Sequence, residues 1–365
     1  MSLWILSPVS LDQGVEIVVT QDMRGLGKKI IYHRNQYGLR ALSMRDNAKA
    51  ENLIRVLCLG ASTTEQTTQE TKDTWCGILE TRLRKHYEGF DVNIQTAAFG
   101  FGGAKALDNA LWVYENLDII QPDIIITLLG INDLAWNGGK NYKPRKIDET
   151  LSERSFSTLR DQCKQYSQIC RRVVLIKRNL AIRAGLETGE VVEWHTANLA
   201  NLRKKYQALP YVEKLTRNPD PIVEFKEVIH WLASYLEQRG VPVILLGQPV
   251  LWKKSYTPDE SNALWFSVNT PNGPVRPSGT WLHGEMRRYN LVQKALANGS
   301  GAKYVDLDQQ IPKNLLHFFD DCHFTDLGSV SAANNILPTL INTVDSLIQK
   351  KGIARASTKP ACSEC

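Results

Sequence analysis

The chain alternates between short, almost wholly apolar runs and longer stretches with helical periodicity. Residues 53–59 (LIRVLCL), 123–129 (DIIITLL) and 241–247 (VPVILLG) are runs of the first kind. A strand with one wet face would alternate apolar and polar positions, so these read as strands buried on both faces. Residues 91–98 (DVNIQTAA) and 303–307 (KYVDL) supply two more strands. Between them, residues 73–88 place Trp75, Ile78, Leu79, Leu83 and Tyr87 at helical spacing. Residues 105–120 form a second helix, ended by Gln121-Pro122. Helices are also expected over 284–298 and over 325–349, the last interrupted at Pro338. Strands alternating with helices predict the α/β class: a three-layer α/β/α sandwich around a five-stranded parallel sheet, flavodoxin-like in type.

The rest of the chain decorates that core. Residues 1–52 form an N-terminal extension with short strands at 15–19 (VEIVV) and 29–32 (KIIY). Asn35-Gln36-Tyr37-Gly38-Leu39-Arg40 follows them and reads as an edge extension. The core domain is assigned to 53–349. Inside it, 134–239 shows no convincing strand pair, because Val173–Ile176 is short and flanked by Arg and Lys. Amphipathic helices at 149–172, 194–208 and 222–239 make this segment a helical cap inserted at the carboxyl edge of the sheet, where loops carry function. Residues 250–283 are a Trp/Pro/Gly-rich loop, and 350–365 a flexible tail.

Composition and charge narrow the classes. Apolar residues are 43 % of the 365, ample for a core, and net charge is +6. Between Arg154 and Arg217 there are 13 Lys and Arg against 5 Asp and Glu, so the positive charge is concentrated in the insertion. No aromatic interleaving or known module accompanies it, so nucleic acid is not expected as a partner. A solvated face, or peripheral contact with an anionic substrate or lipid surface, is. The 7 cysteines are irregularly spaced and odd in number, which argues against a disulfide framework. Cys362-x-x-Cys365 lies on a polar tail without structural context. No membrane-spanning segment appears, and Met1–Val9 is too short and uncharged for a secretory signal. Unpaired cysteines and the lack of a signal favour the cytoplasm, or an extracytoplasmic site were the N-terminus truncated; the oligomeric state is left open.

Four strand-end segments carry the chemistry. Ser62 lies two residues past Gly60, which ends the first strand of the core. Ligands bind at such carboxyl ends, although serine is also a preferred helix N-cap. The other segments are Ala98–Gly103 (AFGFGG), Gly130-Ile131-Asn132-Asp133 and Asp320-Asp321-Cys322-His323. Together they offer a nucleophile, amide donors, a base and a carboxylate to orient it, the kit for acyl transfer through a tetrahedral intermediate. Asp320 is three residues before His323, an offset that lets it hold one imidazole nitrogen and present the other to Ser62. Asp321 has the wrong offset and is expected to be solvated or capping. The oxyanion donors are expected to be the N–H groups of Ser62 and Gly100 and the side-chain amide of Asn132, with Gly102 as the fallback. Trp136, Trp252 and Trp281 are placed at the rim of the pocket as substrate-binding residues, with Tyr289 expected to join them. The glycine-rich turn lacks the spacing of a dinucleotide site and has no P-loop lysine. No cofactor and no metal are expected.

Gly-Ile-Asn-Asp after a strand, Asp-x-x-His near the C-terminus and the serine block resemble the SGNH hydrolase superfamily of GDSL-like esterases and lipases. The likeness runs over residues 30–345, although the serine block reads Gly60-Ala61-Ser62-Thr63 where the family's name motif is Gly-Asp-Ser-Leu. The resemblance implies a serine esterase acting on an O-acyl ester, with an O-acetyl group on a carbohydrate as the preferred reading. A lipase or lysophospholipase, an O-acyltransferase using the same site, and a non-catalytic binding protein are the alternatives.

Overall fold

The apolar runs do become the centre of the molecule. The nine residues of β4 (Leu53–Ala61), the five of β6 (Ile124–Leu128) and the four of β8 (Val243–Leu246) are all buried. The computed structural model describes residues 15–19, 30–35, 37–44, 49–135, 145–155, 197–217 and 219–353. The remaining strands are β1 (Val15–Val19), β2 (Ile30–Arg34), β3 (Arg40–Ala41), β5 (Asn93–Phe101), β7 (Tyr211–Val212), β9 (Val268–Thr270), β10 (Gly273–Pro277) and β11 (Lys303–Val305). The helices are α1 (Ser62–Glu65), α2 (Trp75–His86), α3 (Ala106–Ile120), α4 (Ile131–Ala135), α5 (Ile147–Ser155), α6 (Ala197–Gln207), α7 (Ile222–Glu237), α8 (Pro258–Ala263), α9 (Gly279–Asn298), α10 (Leu307–Gln310) and α11 (Asp326–Lys351).

The main sheet has the order β1-β2-β3-β5-β4-β6-β8-β11. Every pairing from β5 to β11 is parallel. The three N-terminal strands extend this sheet antiparallel at the β5 edge. The first parallel strand, β4, thus lies between the second and third, β5 and β6, which makes the order flavodoxin-like and puts the topological switch point at the carboxyl ends of β4 and β6. Short side chains start several helices. The hydroxyls of Thr74, Ser278 and Thr325 accept the N–H groups of Gly77, Trp281 and Gly328 at 3.0, 3.1 and 3.1 Å, satisfying donors that a helix start leaves unpaired.

Three elements differ from the sequence-based expectation. Helix α7, assigned to the cap, buries Phe225, Val228, Ile229, Leu232, Ala233 and Leu236 in the common core. It is the crossover between β6 and β8. Each large apolar side chain so buried contributes about 1.5–3 kcal/mol. A cap helix and a crossover helix carry the same apolar stripe, so periodicity alone does not say what the stripe covers. Helix α11 runs unbroken through Pro338. The loop over 250–283 folds α8 and a hairpin, and that hairpin joins β7 in a second sheet of order β7-β10-β9. The stretches 136–144 and 156–196 lie outside the described residues, and with them Trp136, Val173–Ile176 and most of the expected helix 149–172. The tail beyond 353, with Cys362 and Cys365, lies outside them too. Among the described residues no helix is long and apolar enough to cross a membrane.

Candidate active site

The site sits where β4 gives way to α1. Gly60 pairs with Gly100 across β4 and β5, and α1 packs down on both. A Cβ on Gly60 would run into the Thr64 hydroxyl, and one on Gly100 would lie 2.5 Å from the Glu65 nitrogen. Only two glycines let the helix approach so closely. Ser62 does not cap this helix. Ala61 holds the cap position with no side-chain bond, and the Ser62 hydroxyl lies 2.8 Å from Nε2 of His323.

Behind the imidazole, Nδ1 is 2.7 Å from Asp320 Oδ2 and 2.9 Å from Oδ1. The Asp320 side chain is wholly buried and that of His323 is 17 % exposed. Oδ1 of Asp320 accepts the N–H groups of Cys322 and His323 at 3.0 and 2.9 Å, which closes the turn that sets the offset of three. The indole N–H of Trp265 donates to Oδ2 at 2.9 Å. Burial alone would raise the Asp320 carboxyl, but the facing His323 and these hydrogen bonds outweigh it and hold it below its ordinary value. Burial works the opposite way on His323, and there the Asp320 charge wins, raising the imidazole well above 6.5.

Asp321 is neither solvated nor a helix cap. It is 1 % exposed and accepts three N–H groups, from the Trp252 indole (2.7 Å) and the backbones of Trp265 (2.7 Å) and Phe266 (2.9 Å). Burial, with the charge of Asp320 beside it, pushes its carboxyl up to about 6. Trp252 is therefore not a rim residue. It is fully buried at 0 % exposure, because a tryptophan after a strand can turn inward when its N–H finds a buried acceptor. Trp281 is half-buried, with the Arg217 guanidinium 4.8 Å over its ring, whereas Tyr289 is no rim residue: it is fully buried against Phe225.

On the opposite side, the Asn132 amide donates to the Ala104 carbonyl at 2.9 Å. Its second N–H is the one available to a ligand. Asp133 is buried and takes the Ala106 N–H at 3.1 and 3.2 Å; burial pushes its carboxyl up to about 7. The fallback donor Gly102 is occupied, since its N–H donates to Glu65 Oε2 at 3.0 Å. Gly100 lies within β5, and its carbonyl accepts from Arg34 at 2.8 Å.

A buried charge network supports this side, and sequence reasoning missed it. Arg34 pairs with Glu65, and Tyr32 donates to Glu65 Oε1 at 3.2 Å. Arg40 donates to the backbone carbonyls of Glu65 (2.7 Å), Gln66 (2.8 Å) and Gln69, satisfying acceptors that the end of α1 leaves open. Gln66 there has φ 49°, a left-handed conformation that a non-glycine residue holds only with outside support. The N-terminal edge extension is thus a brace for the serine helix. The available signal was an arginine in each of two short strands that pack on an apolar core.

Asp320, Cys322 and His323 also bring ligand-type atoms within 4.8 Å of one another. The 2.7 Å between Asp320 and His323 is shorter than the spacing of two ligands each about 2 Å from one tetrahedral ion, so the contact is a hydrogen bond.

The family model described as GDSL-like lipase/acylhydrolase matches residues 58–329, and the chain belongs to that family. It is accordingly a hydrolase acting on ester bonds. No curated protein sequence matches significantly. Solved structures similar to it include an acetyl xylan esterase, AlAXEase, at 13 % identity over 79 % of this chain and 100 % of that one, with a TM-score of 0.40. A variant of Axe2, an acetyl xylan esterase from Geobacillus stearothermophilus, is 12 % identical over 82 % and 95 % of the two chains, with a TM-score of 0.42. A GDSL-like lipase from Bacteroides thetaiotaomicron VPI-5482 is 13 % identical over 80 % and 89 %, with a TM-score of 0.40.

Proposed function

We propose that the chain is a serine esterase in which Ser62 is the nucleophile, His323 the general base and acid, and Asp320 the carboxylate that orients it. The observation that carries this reading is the continuous relay from Ser62 Oγ through both nitrogens of His323 to Asp320, at 2.8 and 2.7 Å. Ser62 Oγ attacks the ester carbonyl carbon while His323 Nε2 takes its proton. The tetrahedral oxyanion is held by the N–H groups of Ser62 and Gly100 and the second N–H of Asn132. Collapse expels the alcohol, which leaves with the proton from His323. Water then attacks the acyl-serine by the same route and releases the acid.

An O-acyl ester on a carbohydrate, with acetyl as the acyl group, is the substrate class we favour. Supporting it is Trp265, a half-buried aromatic ring nearly parallel to His323 with centroids 6.2 Å apart, since flat aromatic faces suit sugar rings. The insertion is read as setting specificity. In its favour, Arg203 of α6 donates to the carbonyls of Phe319 (3.0 Å) and Ala263 (3.2 Å), which lie shortly before His323 and Trp265 in the chain.

A serine-directed phosphonate is expected to label Ser62 alone, and acetylated glycans to be cleaved faster than long-chain p-nitrophenyl esters. Labelling elsewhere, or full esterase activity in Ser62→Ala, would overturn the mechanism. Preference for long acyl chains would overturn only the substrate class.

A further inference from the structure

The relay does not end at Asp320. We infer that Trp265 is a positioning residue for the Asp320–His323 pair, its indole N–H fixing the carboxylate oxygen that holds the imidazole. The inference rests on the proposed serine-esterase reading and extends it to a residue in the loop over 250–283, far from Asp320 in sequence.

Three observations carry it. Oδ2 of Asp320 has two side-chain donors, His323 Nδ1 at 2.7 Å and Trp265 Nε1 at 2.9 Å. The Trp265 ring lies within 7° of parallel to the imidazole, and that of Phe319 within 16° at 5.6 Å. Finally, the Trp265 backbone is itself anchored, because its N–H and that of Phe266 both bind Asp321, which also takes the Trp252 indole. The two adjacent aspartates thus do different work on one tryptophan. Asp321 holds its main chain, and its side chain holds Asp320.

The physical consequence follows from what a second donor does to a carboxylate. An N–H on Oδ2 stabilises the ionised form and withdraws electron density from the bond to His323. It also leaves Asp320 one rotamer in which Oδ2 faces Nδ1, so the imidazole tautomer presenting Nε2 to Ser62 is fixed. Asp320 and Cys322 are the titratable groups acting on the ring, and Asp320 in turn bears on Asp321 beside it. Losing the indole N–H makes the carboxylate more basic and strengthens its hold on the imidazolium. The neutral base then appears only at higher pH.

Trp265→Phe keeps an aromatic ring and deletes the donor. It is expected to lower kcat about tenfold, the scale of one hydrogen bond to a charged group, to leave KM nearly unchanged, and to move the acid limb of the kcat profile to higher pH. A residue that only packs would lower the melting temperature and leave both kcat and the limb where they are; that result overturns the inference. Should Trp265→Phe fail to fold, the wild-type protein labelled with 15N-tryptophan decides. The indole N–H resonance of Trp265, assigned apart from that of Trp252 on Asp321, must be protected from solvent and shift with the same pH as the acid limb, and an exposed or pH-silent Trp265 resonance overturns the inference equally. Ser62→Ala separates the two levels. If it retains activity, the serine mechanism has failed; if it is inactive while Trp265→Phe behaves as wild type, only the role of Trp265 has.

Discussion

The two sides of the Ser62 hydroxyl are built by opposite means. On the proposed acid–base side, Asp320 is held by a turn of four residues and by a neutral indole. On the proposed oxyanion side, the end of α1 and the glycine turn are held by charged arginines from β2 and β3, 25 to 66 positions away. The first arrangement tunes a proton, because every donor around Asp320 bears on how tightly it pulls His323. The second fixes a shape, because Arg34 and Arg40 reach backbone carbonyls and Glu65, none of which exchanges a proton with substrate in the proposed reaction. Changes on the first side are therefore expected in the pH profile, and changes on the second in stability.

The largest expected effect tests the acid–base side alone. Ser62→Ala is expected to lower kcat by about four to six orders of magnitude with the melting temperature nearly unchanged, as an active-site titration and a thermal scan on the one variant would read. A large loss of stability would mean that the hydroxyl supports the fold. For the oxyanion side the pattern reverses. Arg34→Met leaves the buried Glu65 carboxylate without its cationic partner and is expected to cost about 3–5 kcal/mol in urea unfolding. Adding Glu65→Gln, which removes the stranded charge, is expected to recover part of it. A single variant as stable as wild type would remove the brace from the account.

These outcomes bear on what the sequence made legible. The serine, Asp320, His323 and Asn132 stand at strand ends or at a fixed local offset, and periodicity finds strand ends. The five parallel strands were visible for the same reason. Trp265, Arg34, Arg40 and Glu65 act through contacts between segments far apart in the chain, and no local pattern encodes which arginine meets which carbonyl. Trp252 was misread because position after a strand was taken for orientation; the buried Asp321 that turns it inward is 69 residues away. Helix α7 was misread because its apolar stripe is silent about its partner.

Two smaller effects refine the comparison. Asn132→Ala is expected to lower kcat about a hundred- to a thousandfold with little change in KM. It should also destabilise the fold by about 0.5–1.5 kcal/mol, since it removes the bond to Ala104. A fall in stability with kcat intact would make Asn132 a turn residue only. The last effect concerns Asp133. Its carboxyl is pushed up to about 7 by burial, so between its ordinary value of 3.8 and 7 the folded chain binds the extra proton. Stability contributed by that proton is present at low pH and declines as pH rises through this window. Asp133→Asn, which keeps an oxygen for the Ala106 N–H, is expected to flatten that decline in unfolding experiments from pH 4 to 8. An unchanged slope would place the proton elsewhere.

The brace from the N-terminal strands has a practical corollary. The segment matched by the family model begins at Cys58, in the middle of β4. A gene trimmed to that segment would encode the serine, Asn132, Asp320 and His323, every residue that recognition relies on. It would omit Arg34 and Arg40, half of the central strand and most of α11. Such a clone would preserve the signature and discard the scaffold, so library designs and minimal-domain expression of this chain should take their boundaries from the guanidinium contacts rather than from the motif.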